Sequence, residues 1–159
     1  MNIKLFTPHK TQRDCINLID NSDAKILILN IGRQWGKSML ALNLLLKWNL
    51  ENKNSVSFWV SPIYAQAKKV FDELVNALKP TGLIKSTNRT EVCIKLTNGS
   101  VIHFKSAEKP DNLRGSTLDF LICDEAAFMK ESIWTEILRP MTLVKGKRVV
   151  FISTPKGKN

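Results

Sequence analysis

A short glycine-bearing turn, Asn30-Ile31-Gly32-Arg33-Gln34-Trp35-Gly36-Lys37-Ser38, joins an apolar run from Ala24 to Ile31 to a leucine-rich segment from Met39 to Leu50. The apolar run reads as a buried strand, Lys25 notwithstanding, and the leucine-rich segment as a helix. Strand, turn, Gly-Lys-Ser and helix in that order form the setting in which a phosphate-binding loop works. The N–H groups of such a turn and of the helix start converge on one point, which is therefore positive before any side chain contributes. Lys37 then brings a mobile charge to the β- and γ-phosphates of a nucleotide, and Ser38 offers a hydroxyl to Mg2+. The usual pattern is GxxxxGK[ST]; here Ile31 stands where its first glycine belongs, and Gly32 follows one place late.

The 159 residues suffice for one three-layer α/β domain, and 43% of them are apolar. No uninterrupted apolar stretch approaches the ~18 residues of a membrane span, and Met1-Asn2-Ile3-Lys4 lacks the apolar core of a signal peptide. Cys15, Cys93 and Cys123 are odd in number and far apart, which suits small buried thiols in a reducing compartment. Neither His9 nor His103 has a cysteine or carboxylate partner at metal-ligand spacing. Net charge is +10, with 11 basic and 6 acidic residues up to Pro80 and 13 and 8 beyond it. The excess is spread through the fold, and a polyanion, nucleic acid before membrane, is the partner it suits.

Pro8 stands near the start of a short helix reaching about Ile19, and that helix carries Gln12. Its amide can either meet an adenine edge or simply face water. Val56 to Val60 is a second strand, and Pro62 fits the first turn of the helix after it. There Ala67, Val70, Phe71, Leu74 and Leu78 form one apolar face, and Lys79-Pro80-Thr81-Gly82 ends the helix. Glu91–Leu96 and Val101–Lys105 alternate around Thr97-Asn98-Gly99-Ser100, a hairpin expected at an edge of the sheet or over it.

Leu118 to Cys123 is another buried strand and runs into Asp124-Glu125. Behind a phosphate loop, that pair suits Mg2+ held by Asp124 through its waters and an attacking water handled by Glu125. Capping the next helix is the alternative use of the two acids. The last strand, Lys147 to Ile152, delivers Ser153 and Thr154 to the edge where open α/β sheets bind ligands.

In this order the stretches resemble the ATPase domain of the tailed-phage terminase large subunits, over nearly the whole chain. Gly32-Arg33-Gln34-Trp35-Gly36-Lys37-Ser38 resembles that family's deviant Walker A motif, and residues 60–68 its segment after the second strand. Leu113-Arg114-Gly115 with Leu121-Ile122-Cys123-Asp124-Glu125-Ala126-Ala127 resembles its Walker B region, and Ser153-Thr154-Pro155 its coupling motif. The resemblance implies an α/β P-loop fold of the additional-strand class, a mostly parallel sheet flanked by helices, spanning 1–159. In that class the last strand lies between the first strand and the Walker B strand.

It further implies ATP and Mg2+ as cofactors, with Ser38 and Asp124 toward the metal. Gln12 on the adenine side, Gly32, Arg33, Gln34, Trp35, Gly36, Lys37, Ser38, Ser153 and Thr154 would meet the nucleotide. Glu125 and Lys37 would be catalytic, with Arg33 and Arg114 as candidate arginine fingers. The implied partners are double-stranded DNA, a portal protein, a terminase small subunit and further copies of the chain in a ring. The implied place is the host cytoplasm and, transiently, the procapsid portal, without a membrane. The family's RNase H-like nuclease domain has no counterpart here, so the chain reads as an N-terminal fragment or a truncated product. A P-loop kinase, a helicase-like translocase and a nucleotide-binding module that no longer hydrolyses are the rival readings.

Overall fold

The computed structural model describes residues 10–30 and 36–154. The expected contributions of Gly32, Arg33, Gln34 and Trp35, like those of Pro8 and Pro155, lie outside the described residues.

Seven strands form one sheet in the order β1-β7-β6-β2-β5-β4-β3. They are β1 (Ile26–Asn30), β2 (Val56–Ser61), β3 (Ile84–Asn88), β4 (Cys93–Leu96), β5 (Val101–Ser106), β6 (Phe120–Cys123) and β7 (Arg148–Ser153). The five strands from β1 to β5 across the sheet are parallel, and β4 and β3 extend it antiparallel. The last strand, β7, pairs with β1 on one side and β6 on the other, which is the order expected of the additional-strand class. Its helices are α1 (Lys10–Asp20), α2 (Lys37–Glu51), α3 (Tyr64–Leu78) and the short α4 (Arg139–Thr142), which continues a π-helical turn, Ile133–Leu138.

Alternation along the central strands feeds two cores. Trp59, Ile122, Val150 and Ile152 face α1, α2 and α3, whereas Phe58, Val60, Leu121, Cys123 and Val149 face Leu113, Ile133, Ile137 and Leu138. Helix α2 is apolar nearly all round because the sheet and its neighbouring helices enclose it; Leu40, Ala41, Leu44, Leu45 and Trp48 are all buried. The hairpin forms as expected and lies in the plane of the sheet, not over it, because β5 pairs in parallel with β2. Its turn needs Gly99 at φ 88°, and a Cβ there would collide with the Asn54 side chain.

Two expectations are corrected. The first strand is not buried: among the described residues it pairs only with β7, and Ile26 and Ile28 are 47% and 73% exposed while Leu27 and Leu29 pack inward. Pro62 sits just ahead of α3, which starts at Tyr64 after an extended Ile63. Strand β3 was not expected, since Lys85, Ser86, Thr87 and Asn88 are all exposed and show no apolar alternation. Among the described residues no helix is long and apolar enough to cross a membrane. The three thiols are free, with Cys123 buried and Cys15 and Cys93 partly so.

A buried polar cluster anchors the far end of α2. The side-chain carbonyl of Asn49 accepts from the hydroxyls of Ser55 and Ser57, both at 2.8 Å, and its amide donates to the Leu45 carbonyl at 2.7 Å. The Ser100 hydroxyl closes the group against the Asn49 and Asn52 carbonyls. Asn49→Leu leaves the Ser57 hydroxyl without its acceptor in a dry site, so the unfolding free energy should fall by about 2–3 kcal/mol, read from urea denaturation.

Candidate nucleotide site

Three loops meet at the carboxyl edge of the sheet. The start of α2 follows β1, the Asp124-Glu125 turn follows β6, and Thr154 follows β7. Gly36 takes φ 77° immediately before α2 and accepts the Leu40 N–H at 3.0 Å, so the helix begins where the glycine-bearing turn ends. The Gln12 amide, itself buried, donates to the Gly36 carbonyl at 3.4 Å. The left-handed backbone favours glycine there, and a Cβ on Gly36 would come within 2.6 Å of the Gln12 amide nitrogen and displace that side chain.

Lys37 is buried, and its ammonium is held twice. It donates to the Thr154 hydroxyl and pairs with Glu125 Oε1 at 3.3 Å. Such burial of a cation requires partners of this kind. The Ser38 hydroxyl donates to Asp124 Oδ1 and Oδ2 at 3.2 and 3.4 Å. Thr154 also reaches Glu125 Oε1 at 3.5 Å, so one hydroxyl joins the lysine to the carboxylate. Ser153 points elsewhere: its hydroxyl accepts the Ala127 N–H at 3.1 Å and pins the turn behind Glu125. Glu125 itself sits at φ 49°, ψ 48°, a left-handed conformation that costs a non-glycine residue about 1–2 kcal/mol.

Burial, and after it the neighbouring Glu125 carboxylate, push the Asp124 carboxyl up to about 6; the Ser38 hydroxyl, the Glu125 N–H and Lys37 pull it back. The pair of acids is thus short of positive charge. A hydroxyl and a carboxylate are the hard oxygen donors that Mg2+ takes. Among the described residues no three His, Cys, Asp or Glu side chains gather as a metal cage. The donor set therefore fits an ion that brings most of its shell with it, as water and phosphate oxygens.

Above these groups opens a cavity of about 730 Å3. Gly36, Lys37, Ser38 and Met39 form one wall, Pro62, Ile63 and Gln66 a second, and Glu125 and Phe128 a third. Its size and its mix of apolar wall and convergent polar groups suit a nucleotide. Of the expected site residues, Lys37, Ser38, Asp124, Glu125 and Thr154 come together, with Gln12 and Ser153 one contact away. Arg114 does not line the cavity: its side chain is 56% exposed and lies 3.7 Å from Asp111. Pro62, Ile63, Gln66 and Phe128 line it although the sequence assigned them no role. Their signal was positional only, since each follows a parallel strand at its carboxyl end.

Comparison with known proteins places these features. Residues 28–159 match the family model described as terminase large subunit, T4likevirus-type, N-terminal. The chain is 31% identical to the large terminase subunit of Thermus phage G20c over 97% of its own length and 35% of that relative's. It thus spans about a third of the curated relatives it matches. The large terminase ATPase domain of Thermus phage P74-26 superimposes with a TM-score of 0.79 at 31% identity, covering 97% of this chain and 67% of that one. The large terminase of a thermophilic bacteriophage, in complex with ATP-γ-S, shares the fold, with a TM-score of 0.76 at 16% identity over 94% of this chain and 38% of that one.

Replacing Asp124 should expose a conflict between stability and function. Asn keeps the acceptor for Ser38 but removes a buried charge, so Asp124→Asn should raise the unfolding free energy at pH 7 by about 3 kcal/mol. The carboxyl titrates near 6 in the fold against about 3.8 when unfolded, so ionisation weakens the fold as pH rises between those values. The gain from Asn is therefore full above pH about 6 and disappears below pH about 4. Urea denaturation across that range without nucleotide checks it.

Proposed function

The chain belongs to the terminase large subunit family, matching its N-terminal part, and on that premise we propose that it is a Mg2+-dependent ATPase that drives double-stranded DNA into a procapsid. The observation that carries the reading is the convergence of Lys37, Ser38, Asp124, Glu125 and Thr154 at one edge of the sheet, with Lys37 3.3 Å from Glu125 and Ser38 3.2 Å from Asp124. ATP-γ-S bound to the terminase of the thermophilic bacteriophage, a protein of the same fold, supports the choice of nucleotide.

ATP enters the cavity with its triphosphate at the start of α2, where free N–H groups and Lys37 meet it. Lys37 exchanges Thr154 and Glu125 for phosphate oxygens, which releases Glu125 toward the γ-phosphate. Glu125 then accepts a proton from the attacking water. Ser38 and Asp124 would hold Mg2+, which supplies neutralisation of β- and γ-phosphate charge when bound. Thr154, in contact with both Lys37 and Glu125, registers whether the γ-phosphate is present. Gln12 stands on the far side of Gly36 and takes the adenine edge, and residues 32–35 complete the phosphate loop. A kinase has no use for a carboxylate poised to deprotonate water, so hydrolysis is favoured over transfer to a small molecule.

Neutralisation of DNA phosphates suits the net charge of +10. A ring of copies on a portal, with a small subunit to select viral DNA, is the assembly that the family membership favours. Arg114, exposed and outside its own chain's cavity, would then serve a neighbour's nucleotide as an arginine finger, with Arg33 kept for its own phosphates.

Two sets of variants test this reading. Lys37→Ala should weaken ATP binding by roughly 10- to 100-fold, the loss of one charged contact. Glu125→Gln should bind ATP as before and lose about 10²–10⁴-fold in turnover. Calorimetry and phosphate release read the two effects, and a Glu125→Gln chain that hydrolyses at the unaltered rate would reduce Glu125 to a turn residue. Arg114→Ala and Glu125→Gln chains, each inactive alone, should recover part of the activity when mixed under assembling conditions. Silence of the assembled mixture, with Arg33→Ala abolishing turnover by the monomer, moves the finger to Arg33.

A further inference from the structure

Gln66 stands in the first turn of α3 and lines the nucleotide cavity with Lys37, Ser38 and Glu125. Its side chain is exposed, and among the described residues its amide has no hydrogen-bond partner. The sheet order determines which end of a nucleotide it meets. Helix α1, which carries Gln12, packs on α2, while α3, which carries Gln66, packs on β5, β2 and β4. Strands β7, β6 and β2 succeed β1 in that order, and Gln66 follows β2. Phosphates that start near Gln12 and pass Lys37 therefore point the γ-phosphate toward Glu125 and, beyond it, Gln66. The space between Gln66 and Glu125 is where a water attacking in line would sit.

We propose that Gln66 is a catalytic residue of ATP hydrolysis that orients the attacking water together with Glu125. The inference rests on the ATPase reading of the site. In the reaction the water oxygen bonds to the γ-phosphorus as the bond to the β–γ bridging oxygen breaks, and that electron pair leaves with ADP. One water proton passes to the Glu125 carboxylate and from there to the released phosphate. The Gln66 carbonyl accepts the other O–H, and its NH2 donates to a γ-phosphate oxygen, so a single amide ties the water to its target. An amide also stays neutral, so it does not compete with Glu125 for the proton. A carboxylate in its place would repel both the γ-phosphate and Glu125.

The test compares the full chain with Gln66→Ala and Gln66→Glu, using Mg2+ and ATP in single turnovers with protein in excess, alongside binding of ADP and ATP-γ-S. Gln66→Ala should slow cleavage on the order of 10²-fold, the cost of a misplaced reactant. Its affinity for ADP and its urea midpoint should match the unaltered chain, since the side chain is exposed, and its affinity for ATP-γ-S should fall by less than about 10-fold, the loss of one neutral hydrogen bond. Gln66→Glu should be at least as slow. Cleavage by Gln66→Ala at the unaltered rate overturns the inference alone. Lost nucleotide affinity with an unchanged rate does so too, by making Gln66 a phosphate-holding group. An unaltered chain that binds ATP and never cleaves it, even at high concentration, sinks the ATPase reading and takes this inference with it.

Discussion

The insertion of β7 between β1 and β6 is the constraint on which the site depends. Parallel pairing aligns Asn30 with Ser153 and Cys123 with Phe151, so the three strands end within two residues of one another. The start of α2, the two acids and Thr154 are each one short step beyond those ends. Without β7, β1 would have no partner in the sheet, and Lys37 would lose the Thr154 hydroxyl that helps hold it. The contacts that complete the sheet join residues more than 120 apart, as between Ile26 and Val149. Such long-range closure costs chain entropy before it returns any burial, so β7 is expected to be added late in folding.

That alignment places one buried ammonium among two adjacent carboxylates. Lys37 satisfies Glu125 directly and reaches Thr154, while Asp124 receives only neutral donors, from Ser38 and the Glu125 N–H. The rise in the Asp124 pKa follows from burial first and from the adjacent Glu125 carboxylate second, and these neutral donors offset it only in part. A divalent cation accompanied by phosphate would relieve it: the metal would supply the positive charge that Asp124 lacks, and the phosphates would supply the anions for Lys37 to take in exchange. The site is held together by the same groups that nucleotide would separate, so binding and rearrangement would be one event at Lys37.

The Lys37, Ser38, Asp124 and Glu125 cluster was legible because its members follow a local signature, an apolar run ending in a chemically marked turn, whereas the place of β7 between β1 and β6 came from the family resemblance and not from any one segment. What was not legible depends on neighbours distant in sequence. Strand β3 exists because β4 offers it an edge, and its own residues carry no alternation. The exposure of β1 follows from its place at the end of the sheet, which an apolar run such as Ile26 to Leu29 does not disclose. Gln66 lines the cavity only because β2 and β6 are neighbours, so that the first turn of α3 comes up beside Glu125. Phe128 joins the same wall through the left-handed turn at Glu125, a backbone feature with no mark in the side-chain sequence.

Ser153 and Thr154, at the end of β7, divide the work between them. Thr154 holds the lysine that would meet the phosphates, and Ser153 holds the amide of Ala127, two residues beyond the glutamate that would meet the water. A left-handed glutamate stays in place only if its surroundings outweigh the cost, and the Ser153 hydroxyl is one of the groups that do so. Adjacent positions at the end of a single strand thus grip both halves of the site. Strand β7 is bonded along its length to β1 and β6, so it transmits displacement as a rigid element and not through a flexible loop. Any shift of its end that accompanies loss of the γ-phosphate would be felt at Lys37 and at the Glu125 turn together. This physical link is what the proposed packaging motor would require between chemistry and movement.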